Sequence, residues 1–143
     1  MENQTINQKQ DEIIEEFSMF EEWMDKYEYI IDLGKHLPLI SAEYKIDNNL
    51  INGCQSKVWV HAEYKEGKIF FTADSDAIIT KGIIGLLIRT LSGHTPEEIV
   101  NTDLYFIDKT GLSEHLSPTR SNGLTAMVKQ LKMYAMVFKM KNS

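Results

Sequence analysis

The 143-residue chain contains one cysteine, and it lies in a polar turn that leaves open whether the thiol is exposed or tucked under the loop at rest. Cys54 lies in the polar turn Asn52-Gly53-Cys54-Gln55-Ser56-Lys57, just before the strand-forming run Val58-Trp59-Val60. A lone thiol has no internal disulfide partner, and a thiol kept only for packing would have apolar neighbours. Gly53 can take backbone angles closed to other residues and leaves room beside the sulfur. Lys57 supplies a cation near enough in sequence to favour thiolate, the nucleophilic form. Gln55 and Ser56 are candidates to shape the turn or to hydrogen-bond the sulfur. The opposing reading is an inert, small buried hydrophobe, the common fate of a lone cysteine.

Other constellations are weaker. His36, His61, His94 and His115 are dispersed, with no ligand-pair spacing, so no metal site is expected. A cluster held by this chain alone would need several cysteines. A cysteine–histidine enzyme acting on a small substrate needs an imidazole beside Cys54 and a group to orient it. His61 or His115 would have to supply the imidazole, and their spacing compels neither. No phosphate-binding glycine loop or dinucleotide fingerprint is present. A third possibility is a thiol that is modified and hands its modification on, with Arg120 from a distant loop as a second cationic candidate.

Composition narrows the field. The formal charge of -6 disfavours non-specific nucleic-acid binding. Acids crowd the N-terminal third (Glu12, Glu15, Glu16, Glu21, Glu22), and bases gather at the other end (Lys129, Lys132, Lys139, Lys141). Two solvated helix faces in weak mutual attraction account for this, and an acidic surface steering a protein partner is the sharper option. A single cysteine suits a reducing compartment. The N-terminus lacks a charged n-region and an apolar h-region, and no apolar run is long enough for a membrane span, so the expectation is a cytoplasmic protein.

The elements that must position Cys54 follow from periodicity. Residues 1–9 are polar and read as a flexible tail, with one domain over 10–143. Ile13, Ile14, Phe17 and Phe20 predict a helix, and Trp23, Tyr27, Ile30, Ile31 and Leu33 a second, ended near Gly34. Tyr44 to Ile51 reads as a short extended segment, and 57–64 and 68–72 as a hairpin around Lys65-Glu66-Gly67. The fold class is therefore α+β, with a small three-stranded antiparallel sheet packed against helices. Asp74-Ser75-Asp76 reads as the N-cap cluster of the next helix, with Lys81 one turn in as a solvated lysine or a partner contact. Gly82 and Gly85 weaken that helix unless a neighbour packs closely against it. Thr95-Pro96-Glu97-Glu98 is a capping box. A last helix follows Ser117 or Ser121, with Leu124, Met127, Val128, Leu131, Tyr134 and Phe138 on one stripe.

Several segments together resemble SufE proteins, the sulfur-acceptor partners of SufS cysteine desulfurases. They are Tyr29-Ile30-Ile31-Asp32-Leu33-Gly34 with Leu37-Pro38, Asn49 through Trp59 around Gly53-Cys54-Gln55-Ser56, Asp74-Ser75-Asp76-Ala77 through Gly82, Thr95-Pro96-Glu97-Glu98-Ile99, and His115 through Leu124. They occur in the family's order and span most of the chain, while Leu50 and Thr119 depart mildly from it. The resemblance implies a SufE/IscU-like α+β domain in which Cys54 accepts sulfane sulfur as a persulfide. Gln55, Ser56, Asp74, Asp76, Lys81 and Arg120 would shape the site or bind the partner. It implies no cofactor in this chain, pyridoxal phosphate on a SufS-like desulfurase, and a SufBCD-like iron–sulfur scaffold as recipient. It does not separate SufE from its paralogue CsdE, and monomer and homodimer both stay open.

Overall fold

The computed structural model describes residues 4–142. Its described elements are α1 (Ile6–Ser18), α2 (Trp23–Gly34), β1 (Val58–Lys65), β2 (Lys68–Ser75), α3 (Ile78–Leu91), α4 (Pro96–Asn101), α5 (Phe106–Lys109), α6 (Leu112–His115) and α7 (Pro118–Lys141). Two 3-10 turns, Ala42–Tyr44 and Asp47–Asn49, sit between α2 and β1.

Helix α1 begins earlier than the apolar pattern predicts. Thr5 forms a capping box with Gln8, which satisfies amides that would otherwise fray and extends the helix back to Ile6. Of the expected tail, residues 1–3 lie outside the described residues and 6–9 are helical. Ile13 and Phe17 are fully buried on the inner face of α1. Gln10 is also buried, accepting from the Phe106 amide and donating to the Asp103 carbonyl. On the same helix Glu12 and Glu16 grip the Arg89 guanidinium of α3 at 2.7–2.8 Å. Part of the acidic face is thus engaged with a helix of the core.

The sheet has two strands, not three. β1 and β2 form an antiparallel hairpin with Lys65 opposite Lys68, and Glu66 and Gly67 both take positive φ in the turn. Val58, Val60, Ile69, Phe71 and Ala73 share the buried face. The segment read as a third strand instead folds over the outer face as the two 3-10 turns and touches the sheet through one bridge, Leu50 to Trp59. Asp47-Asn48-Asn49 favours turns and is poor in strands. Tyr44 stacks flat on His61 with ring centres 3.8 Å apart, and Lys45 lies over Trp59. The free edge of β2 is covered by short bridges from Leu39 and His94.

Helix α3 runs through the core, with Ile83, Ile84, Leu86, Leu87, Ile88 and Leu91 buried. It meets α2 at a glycine contact. A Cβ on Gly82 would stand 2.1 Å from the Ile30 carbonyl oxygen, and one on Gly34 would stand 3.0 Å from the Gly82 nitrogen. Close approach of the two backbones offsets the helix propensity that Gly82 costs. Helix α7 closes the domain with Leu124, Met127, Leu131 and Ala135 inward, and Val128, Tyr134 and Phe138 pack partly against the core.

Candidate functional site

Cys54 sits on the loop between Ile51 and Val58, and backbone bonds hold the loop's neck. The Ile51 amide donates to the Val58 carbonyl at 2.9 Å. Asp76 closes the neck from the other side. Its Oδ1 accepts from the Lys57 amide at 3.0 Å, and its own amide donates to the Lys57 carbonyl at 3.3 Å. Gly53 takes φ 95°, and a Cβ there would stand 3.2 Å from the Ala126 methyl, so the loop turns tightly against α7. The turn leaves the thiol half-buried and pointed at the start of α7, with Sγ 3.6 Å from the Gly123 carbonyl oxygen.

The sulfur borders a cavity of about 190 Å³. The cysteine loop supplies Gln55 and Ser56, α7 supplies Thr119, Arg120, Gly123 and Met127, and the first turns of α3 supply the remaining wall. Several water-sized atoms fit inside, since each takes about 30 Å³ in the liquid. Burial pushes the Cys54 thiol above its ordinary value. Lys57 does not border the cavity, so the cation expected to favour thiolate does not act at rest. The resting group is a protected thiol.

Four of the residues singled out in the sequence meet here: Cys54, Gln55, Ser56 and Arg120. Arg120 comes from the first turn of α7 and not from a loop, because Ser117 caps that helix by accepting from the Arg120 amide and Pro118 takes its first position. The other three lie outside the cavity wall. Asp76 latches the loop neck. Asp74 binds Lys45 at 3.0 Å and Lys81 at 3.4 Å on the outer side of the hairpin. Burial pushes the Asp74 carboxyl upward, but the bonds from Lys45 and the Ser75 amide and the charge of Lys81 outweigh it and hold it below the usual carboxylate range. Lys81 is therefore paired within the domain. Neither aspartate caps α3; its N-cap is Ala77, with no side-chain bond. Asp74 and Ser75 still belong to β2, so the helix starts later than the acidic cluster suggested.

Sequence reasoning missed the α3 wall, namely Ile78, Ile79, Thr80 and Ile83. The available signal was an apolar helix start with no cap beyond the acidic cluster. Ile78 is 65% exposed, an apolar side chain left in solvent at the cavity. None of the four histidines borders the cavity. His61 is stacked on Tyr44 and His115 on Trp23. Among the described residues no three histidine, cysteine or acidic side chains group to hold a metal ion, and no helix is long and apolar enough to cross a membrane.

The chain is an α+β domain whose one thiol is tucked beside a cavity between a loop and two helices. The family described as "SufE: Fe-S metabolism associated domain" matches residues 11–135, and the chain belongs to it. An uncharacterised SufE-like protein from Rhizobium meliloti is 38% identical over 130 residues, covering 87% of this chain and 93% of its own. Another from Rhizobium etli is 39% identical over 132 residues, covering 89% of each chain. The fold is similar to the solution structure of a hypothetical protein from Thermus thermophilus, with TM-score 0.74 at 23% identity over 90% of this chain and 93% of that one.

Proposed function

We propose that this protein is a cytoplasmic sulfur acceptor and activator for a SufS-like, pyridoxal-phosphate-dependent cysteine desulfurase. In this reading Cys54 carries sulfane sulfur as a persulfide to a SufBCD-like iron–sulfur scaffold. Membership of a family associated with iron–sulfur metabolism supports it. The observation that carries it is the half-buried Cys54 beside a cavity with no histidine on its wall. A stand-alone cysteine enzyme needs a base to activate its nucleophile, whereas an acceptor needs only a thiol, space for one more sulfur and shelter for the product. The protein itself carries no cofactor in this reading. Its oligomeric state, monomer or homodimer, does not enter the chemistry.

The transfer follows thiol–disulfide exchange. Cys54 loses its proton, and the thiolate attacks the terminal sulfur of the desulfurase cysteine persulfide. The donor S–S bond breaks as the new bond to Cys54 Sγ forms, and the donor cysteine leaves as a thiolate that takes up a proton. One thiol and one persulfide become one persulfide and one thiol, with no net oxidant. Docking has to open the loop, because at rest the sulfur faces α7. The exposed Ile78 beside the cavity offers an apolar contact for the incoming surface.

The test is intact-protein mass after incubation with a cysteine desulfurase and cysteine. Wild type is expected to gain one reductant-reversible sulfur, and Cys54→Ser none. Turnover of a small substrate without any desulfurase would favour the cysteine-enzyme alternative.

A further inference from the structure

We propose that Thr80 and the uncapped first turn of α3 receive the terminal sulfur of the Cys54 persulfide and hold it as an anion. This rests on the sulfur-acceptor reading and names the groups that recognise the product. Two independent observations converge on the same cavity. The first is the start of α3. Its N-cap, Ala77, offers no side-chain bond, so the amides of Ile78, Ile79 and Thr80 are left without a capping partner. The backbone bond that closes the turn comes only with the Lys81 amide, donating to Ala77. Such a terminus favours negative charge.

The second is Thr80 itself. It is only 8% exposed, it borders the cavity, and among the described residues its hydroxyl has no hydrogen-bond partner. The other two buried threonines of helical segments behave differently. Thr90 donates to the Leu86 carbonyl at 2.9 Å and Thr110 to the Phe106 carbonyl at 2.8 Å. With no partner among the described residues, the Thr80 hydroxyl is left free on the cavity wall, able to donate to a group that arrives there.

The persulfide supplies that partner. Its terminal sulfur stands about 2 Å beyond Sγ, and a persulfide is a stronger acid than the thiol it came from. Burial alone would suppress the anion, so donors are needed to keep it. The Thr80 hydroxyl and the free amides are such donors. Apart from Cys54, Arg120 is the only ionisable side chain on the wall among the described residues, and it is of the sign that assists. Formation of the anion is a single proton loss from the terminal sulfur to solvent, with no bond to carbon changed.

The experiment loads Cys54 with inorganic polysulfide, so that no desulfurase is required. The rate of persulfide alkylation is then followed against pH by intact mass for wild type, Thr80→Val and Thr80→Ser. Thr80→Val is expected to need a pH about one unit higher for the same rate, about tenfold less anion at a given pH. Thr80→Ser is expected to restore the wild-type profile. The reduced Thr80→Val protein should keep or raise its Tm, because the hydroxyl it loses had no partner. Superimposable profiles for wild type and Thr80→Val would overturn the proposal, as would a wild-type chain that cannot hold polysulfide sulfur. A chain loaded by polysulfide but never by a desulfurase would remove the acceptor reading, while the profiles still decide the role of Thr80.

Discussion

The sulfur of Cys54 faces the carbonyl oxygen of Gly123 at 3.6 Å, and a Cβ on Gly123 would stand 3.5 Å from that sulfur. The first turns of α7 thus serve as the cover of the thiol. A methyl at 123 would sit in ordinary contact with the sulfur, so the helix backbone and the thiol are already packed against each other. Burial there favours the protonated thiol over the thiolate at rest.

The first prediction concerns pH. Burial raises the Cys54 pKa in the folded protein above its value in the unfolded chain. The group's contribution to stability is fully present below the unfolded value and is lost as pH rises through the folded one. Iodoacetamide, which reads thiolate, should therefore label the folded protein with a midpoint above that of the urea-unfolded chain. A folded midpoint at or below the unfolded one would show that burial does not control this thiol.

The loop latch gives a second expectation. Asp76→Ala removes the acceptor of the Lys57 amide and should cost about 1 kcal/mol of stability. With the neck loosened, Cys54 should be alkylated several-fold faster, and the Lys57 amide should exchange faster in hydrogen-exchange measurements. Asp74→Ala breaks contacts to Lys45 and Lys81 on the outer side of the hairpin and should leave the alkylation rate near wild type.

A third prediction tests the helix contact that aligns the α3 wall. Gly82→Ala places a methyl where the Ile30 carbonyl already stands, so α2 and α3 must separate. A loss of about 3 kcal/mol or more is expected in urea unfolding. Gly85→Ala meets nothing closer than 3.8 Å and should be neutral or stabilising by up to about 1 kcal/mol through helix propensity. Equal effects at the two positions would show that the close approach is not what Gly82 is for.

Much was legible along the chain because it depends on neighbours in sequence. Cys54 in a glycine-led polar turn, the hairpin around Glu66-Gly67, the Thr95 capping box and the apolar stripe of α7 each rest on local rules of turn geometry, capping and periodicity. The close packing demanded by Gly82 was also inferable, since a helical glycine needs a compensating neighbour. Segments with mixed signals misled. Tyr44 to Ile51 carries strand formers at its ends and turn formers in its middle, and contact with the outer face of the hairpin decided for turns. Asp74 to Asp76 has the composition of a cap, yet strand pairing claimed the first residue and the loop neck claimed the last.

The chain by itself determined that Cys54 is the one thiol, set in a polar turn, and where most of the helices and the hairpin fall along it, because both follow from residue type and short-range periodicity. Only the tertiary structure decided that the thiol is covered by α7, that Arg120 shares its cavity while Asp74 and Lys81 do not, and that the uncapped start of α3 and the unpartnered Thr80 form the opposite wall. Those are contacts between residues far apart in sequence. They are set by how α3 and α7 pack around one core, a long-range outcome that no local pattern encodes.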